Sequence, residues 1–226
     1  MTPFDYLQAA RVPLFLKPQE FGLWQIIRQE ISGNQDPADY PGAFLENTIE
    51  RGWEQITYLR HATLSIPGWD TVMEDSAREL RRHLPIWLAA HGRVLITGLG
   101  LGCVVRGLLP KPSVEHIDVV EIDSEIIRVV GQEFAGNPRV TLHHGDALNF
   151  EFPAEIRWDF AWHDIWVDPN EEVGLQRLHG QLMVRFCKQV GRQGAWGFPR
   201  VLTRHYTWSI GPMIGTPRIK SSFFLH

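Results

Sequence analysis

Apolar and polar positions fall into a regular alternation from residue 93 onward. Short apolar runs of strand length alternate with stretches in which apolar residues recur at helical spacing. The runs predict strands over Arg93–Thr97, Glu115–Glu121, Arg139–His143, Trp158–Asp164 and about Ala195–Phe198. A short helix follows the first strand and stops before Pro110. Asp123 then caps a helix with Ile126, Ile127, Val130 and Phe134 facing inward. A long helix over about Glu171–Val190 places Leu175, Leu178, Leu182 and Phe186 on its buried face. This order predicts an α/β fold, with a mostly parallel sheet, right-handed crossovers and helices on both faces. Two extended stretches in the tail, Arg204–Ile210 and Ile219–Leu225, predict an antiparallel closing pair around Gly211-Pro212 and Gly215-Thr216-Pro217.

The first 92 residues are patterned differently. Leu23, Trp24, Ile27 and Ile31 fall on one helical face within Phe15–Ile31. Gly33 to Gly42 is a loop by its turn residues. Glu54–Ile66 carries β-branched and aromatic residues in partial alternation, Pro67-Gly68 breaks it, and Thr71–Met73 returns, so a β-hairpin is expected. Ser76 with Glu79 forms a capping-box pattern that starts a helix. Ala77, Leu80, Leu84, Trp87 and Leu88 share one face of that helix, and Pro85 weakens or restarts it. The division expected is residues 1–74 as an N-terminal extension with a hairpin and 75–226 as the α/β unit.

Composition narrows the partners. The chain has 226 residues, 44% hydrophobic and 21% charged, enough for one real core plus a modest extension. The formal net charge is −4 with no block of like charges, and the densest basic spots are Arg81-Arg82 and Arg218-Ile219-Lys220. No basic stripe suits a phosphate backbone, so no nucleic acid is expected as a partner. Two cysteines, Cys103 and Cys187, fit buried free thiols in a reducing compartment. No signal-peptide layout is present and no apolar run nears the roughly 18 residues of a membrane span. A cytoplasmic protein without membrane contact is expected, and a homodimer is compatible with the composition.

The chemistry concentrates at the ends of the predicted strands, where ligands bind in open parallel sheets. The first strand runs into G-L-G-L-G, and Gly98, Gly100 and Gly102 allow a tight turn and close approach of the backbone to a ligand. The second ends at Glu121, a carboxylate placed to accept hydrogen bonds from ribose hydroxyls. The third runs into Gly145-Asp146-Ala147, and the fourth ends in His163-Asp164. Together these imply a nucleoside-containing cofactor. Asp164 is placed to orient or deprotonate a nucleophile. His163 should point to the other side of the strand. Asp75, Trp166 and Asp168 are candidates for the substrate side, while Trp158 and Trp162 read as core. His143-His144 has no partner at metal spacing, and no metal is expected.

These motifs resemble the class I S-adenosylmethionine-dependent methyltransferases and are similar to their spermidine synthase branch. The match spans about Arg93–Asp168, roughly a third of the chain. By resemblance, G-L-G-L-G is the cofactor loop, the acid of V-V-E-I-D is Glu121, and H-G-D-A-L supplies Asp146 and Ala147 at the adenine edge. W-D-F-A-W-H-D supplies the terminal acid Asp164. T-V-M-E-D-S-A-R-E-L loosely resembles the D-E-x-x-Y-H segment of spermidine synthases, with Arg78-Glu79 where Tyr-His would stand. Leu101 occupies the position of the loop acid of those enzymes, and D-I-W-V-D-P replaces D-[ST]-S-D-P. The resemblance implies S-adenosylmethionine as cofactor and methyl transfer to a small molecule, with Asp164 catalytic. Aminopropyl transfer and a non-catalytic cofactor-binding role are the alternatives. Asp164-Ile165-Trp166 differs from the D-P-P-Y of DNA amino-methyltransferases, and Cys103 stands where a nicotinamide-type G-x-G-x-x-G needs glycine.

Overall fold

The computed structural model describes residues 1–32, 53–62, 68–165, 172–196 and 202–203. The expected loop at 33–42, the tail pair beyond residue 203, Trp166 and Asp168 lie outside the described residues. Helix α1 (Pro3–Ala10) is capped by Thr2, whose hydroxyl accepts from Asp5 N while Asp5 answers on the Thr2 amide. An antiparallel sheet follows, with β1 (Gln19–Phe21), β2 (Trp24–Ser32), β3 (Trp53–Ala62) and β4 (Trp69–Glu74) in that spatial order. The hairpin expected around Pro67-Gly68 is the β3–β4 pair, which registers Ala62 with Trp69 and Tyr58 with Glu74.

The helix expected over Phe15–Ile31 is corrected to strands β1 and β2. The deciding period is two: Trp24 and Ile26 are buried while Leu23 is 54% exposed. In β2 those two residues pair with His61 and Leu59 of β3. Cross-strand partners far along the chain override a local helical spacing.

Helix α2 (Ala77–Arg81) starts at Ser76, whose hydroxyl accepts from Glu79 N, and α3 (Leu84–Ala89) restarts after a one-turn break with Pro85 in its first turn. The break shifts the helical phase. Ile86 and Trp87 are buried and Leu88, expected inward, is 56% exposed. Lys111 Nζ closes α3 by donating to the carbonyls of Trp87 (2.6 Å) and Ala90 (2.7 Å).

Next come β5 (Gly92–Thr97), α4 (Cys103–Leu108), β6 (Val114–Glu121), α5 (Ser124–Val129), β7 (Val140–His144), β8 (Trp158–His163), α6 (Glu172–Phe186), β9 (Val190–Ala195) and β10 (Leu202–Thr203). They build a Rossmann-like sheet in the order β10-β9-β8-β5-β6-β7, parallel except for the β9–β10 pair. The chain steps outward from β5 through β6 to β7, then returns to the other side of β5 as β8. The strand order reverses there, and a crevice opens beyond the carboxyl ends.

Strand β9 begins five residues earlier than expected, and α6 ends at Phe186. The β9 sequence V-G-R-Q-G-A has little apolar signal of its own. It becomes a strand because β8 and β10 flank it, and because Gln193 Oε1 accepts from His163 Nε2 (3.2 Å) while Gln193 Nε2 donates to the Met183 carbonyl (2.7 Å).

Both faces of the sheet are covered. Val94, Ile96, Ile117, Val119, Phe160 and Trp162 pack with α1 through α5 in one core that also takes in Trp24, Ile26 and Leu59 of the antiparallel sheet. Leu95, Val120 and Ala161 pack on the opposite face with Leu182 and Phe186 of α6. Trp158 and Trp162 are core residues, at 2% and 1% exposure. Cys103 is buried, which pushes its thiol up to about 12, while Cys187 is half-buried; both are free. No described helix is long and apolar enough to cross a membrane.

Candidate active site

A cavity of about 790 Å³ lies across the carboxyl ends of β5 to β9, within the size range of small-molecule sites. Its floor is the glycine loop. Gly98 has φ 90°, and a Cβ there would strike the carbonyl oxygen of Asp164. Gly100 has φ 52°, with the Met73 thioether 2.7 Å from where a Cβ would stand. Only glycine is compatible with that backbone and that closeness. Gly98 and Gly100 line the cavity, but Gly102 does not. Gly102 (φ 78°) caps α4, and its missing Cβ makes room for the Phe134 ring.

Glu121 ends β6 and faces the cavity at 8% exposure. Its two oxygens accept from Leu99 N (2.7 Å) and Asp123 N (2.9 Å). Burial pushes its carboxyl above the ordinary glutamate value, and these amides pull partly the other way. Each oxygen keeps a lone pair, so the group can still accept from a diol. Asp146 and Ala147, after β7, line the same wall. Asp146 holds its turn by accepting from Leu148 N (2.9 Å) and Asn149 Nδ2 (2.6 Å). Glycine loop, strand-tip carboxylate and Asp146–Ala147 thus converge on one cavity, and this donor and acceptor set fits a nucleoside.

Asp164 follows β8, its amide donating to Thr97 O at 2.8 Å. Its side chain is 24% exposed and lines the cavity, with Oδ2 3.0 Å from His83 Nε2. His163 points away, as alternation requires. It is buried between Thr97 Oγ1 (3.1 Å) and Gln193 Oε1 (3.2 Å), and burial pushes its imidazole down to about 3.

The opposite wall comes from the antiparallel sheet, through Trp24, His61, Thr71, Met73 and Glu74. Two hydrogen bonds among those described fasten that wall to the parallel sheet. Trp24 Nε1 donates to Asp123 Oδ2 (2.8 Å), and Leu101 N donates to Met73 Sδ (3.3 Å). Glu74 accepts from Ser76 Oγ (2.6 Å), and burial raises its carboxyl above the ordinary value. Glu79 accepts from Trp196 Nε1 (2.6 Å) and pairs with Arg82 (3.0 Å), whose guanidinium lies over the Trp196 ring.

Asp75 takes a different place from the one expected. It is 2% exposed and absent from the cavity lining. Its carboxylate accepts from Val12 N (2.9 Å) and Thr57 N (2.6 Å), with Arg11 at 3.7 Å, so it ties the N-terminal segment to β3. The cavity acid of this segment is its neighbour Glu74. Sequence reading also passes over Glu79, His83, His61 and Trp196. Glu79 carries a visible signal as the capping partner of Ser76, but its side chain turns to Trp196 instead. The other three are brought in by strand pairing and by the α2–α3 break.

The chain is similar in part to several known proteins. The stretch 45% identical to ribosomal RNA small subunit methyltransferase A of Pseudomonas fluorescens is 60 residues long and covers 26% of this chain and 22% of that protein. Spermidine synthase 1 of Datura stramonium is 36% identical over 109 residues, 45% of this chain and 34% of that one. The chain thus covers about a fifth to a third of the length of these curated relatives. The crystal structure of an N-methyltransferase from Bradyrhizobium japonicum with S-adenosyl-L-homocysteine aligns at 17% identity and a TM-score of 0.41, over 52% of this chain and 60% of that chain. The family model described as the spermine/spermidine synthase domain matches residues 74–192. That is more than half of the sequence and takes in the strand tips and acids of the cavity, and on that match the chain belongs to the spermine/spermidine synthase domain family.

Proposed function

We propose that this chain binds S-adenosylmethionine and transfers its methyl group to an amine nitrogen of a small cationic molecule. One observation carries the reading: Glu74, Glu79, Glu121, Asp123, Asp146 and Asp164 line the cavity, and no lysine or arginine is among its described lining residues. A sulfonium and an ammonium both lose hydration on entering, and neighbouring carboxylates offset that cost. The same lining repels the phosphates of RNA, so the polynucleotide substrate named for the ribosomal relative is not carried over.

Glu121 holds the ribose hydroxyls, Asp146 and Ala147 flank the adenine, and the glycine loop lets the cofactor approach the backbone. Once bound, the sulfonium supplies a methyl group already activated for displacement: the acceptor lone pair forms the C–N bond while the C–S pair returns to sulfur. Asp164 takes the proton released from the nitrogen, and Glu74 and Glu79 hold the cationic remainder of the acceptor. The site mainly aligns the two partners and excludes water.

A second reading is aminopropyl transfer from the decarboxylated donor. The family match favours it, as do Glu74 and Glu79, which are the acids a diamine needs. Leu101 counts against it, because it is wholly buried where the resemblance places a donor-binding acid.

Incubation with each donor and a panel of mono-, di- and triamines, read by mass spectrometry, separates the readings. A methylated amine supports the proposal. An aminopropylated product replaces it, and no product with either donor makes the chain a binding protein. Asp164→Asn should lower turnover by about a hundredfold or more while calorimetric affinity for S-adenosylmethionine stays unchanged. Lost binding would make Asp164 a cofactor ligand.

A further inference from the structure

We infer that His83 is a positioning residue that fixes the Asp164 carboxylate for proton transfer. The inference rests on the role proposed for Asp164. His83 stands in the break between α2 and α3, where the His83 amide donates to Leu80 O at 3.0 Å and Pro85 has no N–H to continue the ladder. The break turns the imidazole inward to complete burial. Trp87 and Trp162 wall the ring, at centroid separations of 5.6 and 6.0 Å.

Within that apolar box the ring makes one polar contact among the described residues, Nε2 to Asp164 Oδ2 at 3.0 Å. Its Nδ1 is buried without a hydrogen-bond partner among the described residues. An orphaned ring nitrogen is a cost that leucine or phenylalanine would not bear in the same space. The contact with Asp164 is what offsets it. The tautomer protonated on Nε2 donates to the carboxylate, and the lone pair sits on Nδ1.

A carboxylate on a short side chain turns broadly about its last torsion. A donor held at Oδ2 by a walled ring removes that freedom and leaves Oδ1 for the acceptor nitrogen. His83 touches neither donor nor acceptor; it acts through Asp164.

Two variants separate donation from packing. His83→Leu keeps bulk and removes the donor. His83→Gln keeps an N–H near the Nε2 position. H83L should lower kcat on the order of a hundredfold, since loss of alignment at a reacting group costs about that much. Cofactor affinity by calorimetry should not change, and H83Q should recover most of the rate. The double variant H83L/D164N should be no slower than D164N alone.

Nitrogen-15 NMR of labelled histidine gives a readout free of turnover. His83 should show the Nε2-protonated tautomer, and D164N should shift its signals. Full turnover in H83L with loss in D164N would overturn the role of His83 alone. Full turnover in D164N would overturn the reading of Asp164 beneath it. If H83L does not fold, H83Q matched against His83→Asn decides: equal rates would overturn the inference, and a rate kept only by glutamine would support it.

Discussion

Asp118 and Glu121 stand on the same strand and are both buried, at 1% and 8% exposure, yet they do opposite things. Asp118 lies within β6. It accepts from Arg93 Nε (2.7 Å), Trp158 Nε1 (2.8 Å) and His143 Nε2 (3.0 Å). Burial alone would push its carboxyl up, but these donors outweigh burial and hold it far below the ordinary aspartate value. Glu121 ends the strand with, among the described residues, backbone amides alone on its oxygens, and burial wins. An acid within the sheet, ringed by side-chain donors, is saturated and binds strands together. An acid at the rim, held from behind by backbone, stays oriented with acceptor capacity to spare.

Removing each acid should separate stability from binding. Asp118→Ala strands the Trp158 N–H and leaves Arg93 without its partner. It should cost about 3 kcal/mol in urea unfolding, the lower end for a broken buried pair because Arg93 is itself 37% exposed. Gly98→Ala strikes the rim sterically, since an L-residue at φ 90° carries roughly 1–2 kcal/mol of strain and its Cβ meets the Asp164 carbonyl. Both Tm and cofactor affinity should fall. Glu121→Gln keeps one acceptor oxygen but turns an NH2 toward either Leu99 N or Asp123 N, so it should lower Tm by less than D118A does while weakening cofactor binding by about tenfold, the worth of a charge-assisted hydrogen bond. If E121Q destabilises the fold as D118A does, the contrast between the two acids fails.

Near neutral pH the smallest effect is the titration of a buried imidazole. His163 is depressed to about 3 by burial, so between that value and the ordinary 6.5 the unfolded chain binds a proton that the folded chain does not. Stability from this group is complete above about pH 6.5 and declines as pH falls. The loss reaches about 1.4 kcal/mol at pH 5.5. Asp118 adds its own loss only below about pH 4, because its folded value is lowered from the ordinary carboxylate range. His163→Gln should flatten the upper part of a stability-against-pH curve and leave the lower part. An unchanged curve would mean that His163 is not what the acid limb reports, with the buried His179, lowered in the same direction, as the next variant to make.

Legibility followed the range of the forces involved. The glycine loop, Glu121, Asp146 and Asp164 were readable because each sits where an apolar strand stops, and strand ends in a parallel sheet share one rim. The β9 bounds were not, because V-G-R-Q-G-A is a strand only by virtue of its neighbours. Helix was expected at Phe15–Ile31 because Leu23, Trp24, Ile27 and Ile31 suit period 3.6. Pairing with β3 imposed period two and left Leu23 in solvent. Asp75 and Glu74 show the same limit at one residue's distance. Both are acids in one short segment, and only the packing of Val12 and Thr57 against one of them decides which faces the cavity.

Local chemistry along the chain was enough for the α/β class, the order of the parallel strands' motifs and the place of the candidate site at the strand tips, because turns, caps and apolar periods act over a few residues. Tertiary contact alone supplied the second wall of the cavity, the pairing of Glu79 with Trp196 across 117 positions and that of His83 with Asp164 across 81. Such pairs carry no period and no spacing. They exist because one core closes the antiparallel sheet and the broken α2–α3 helix over the strand tips, and burial then leaves each polar group only the partners that the fold brings within reach.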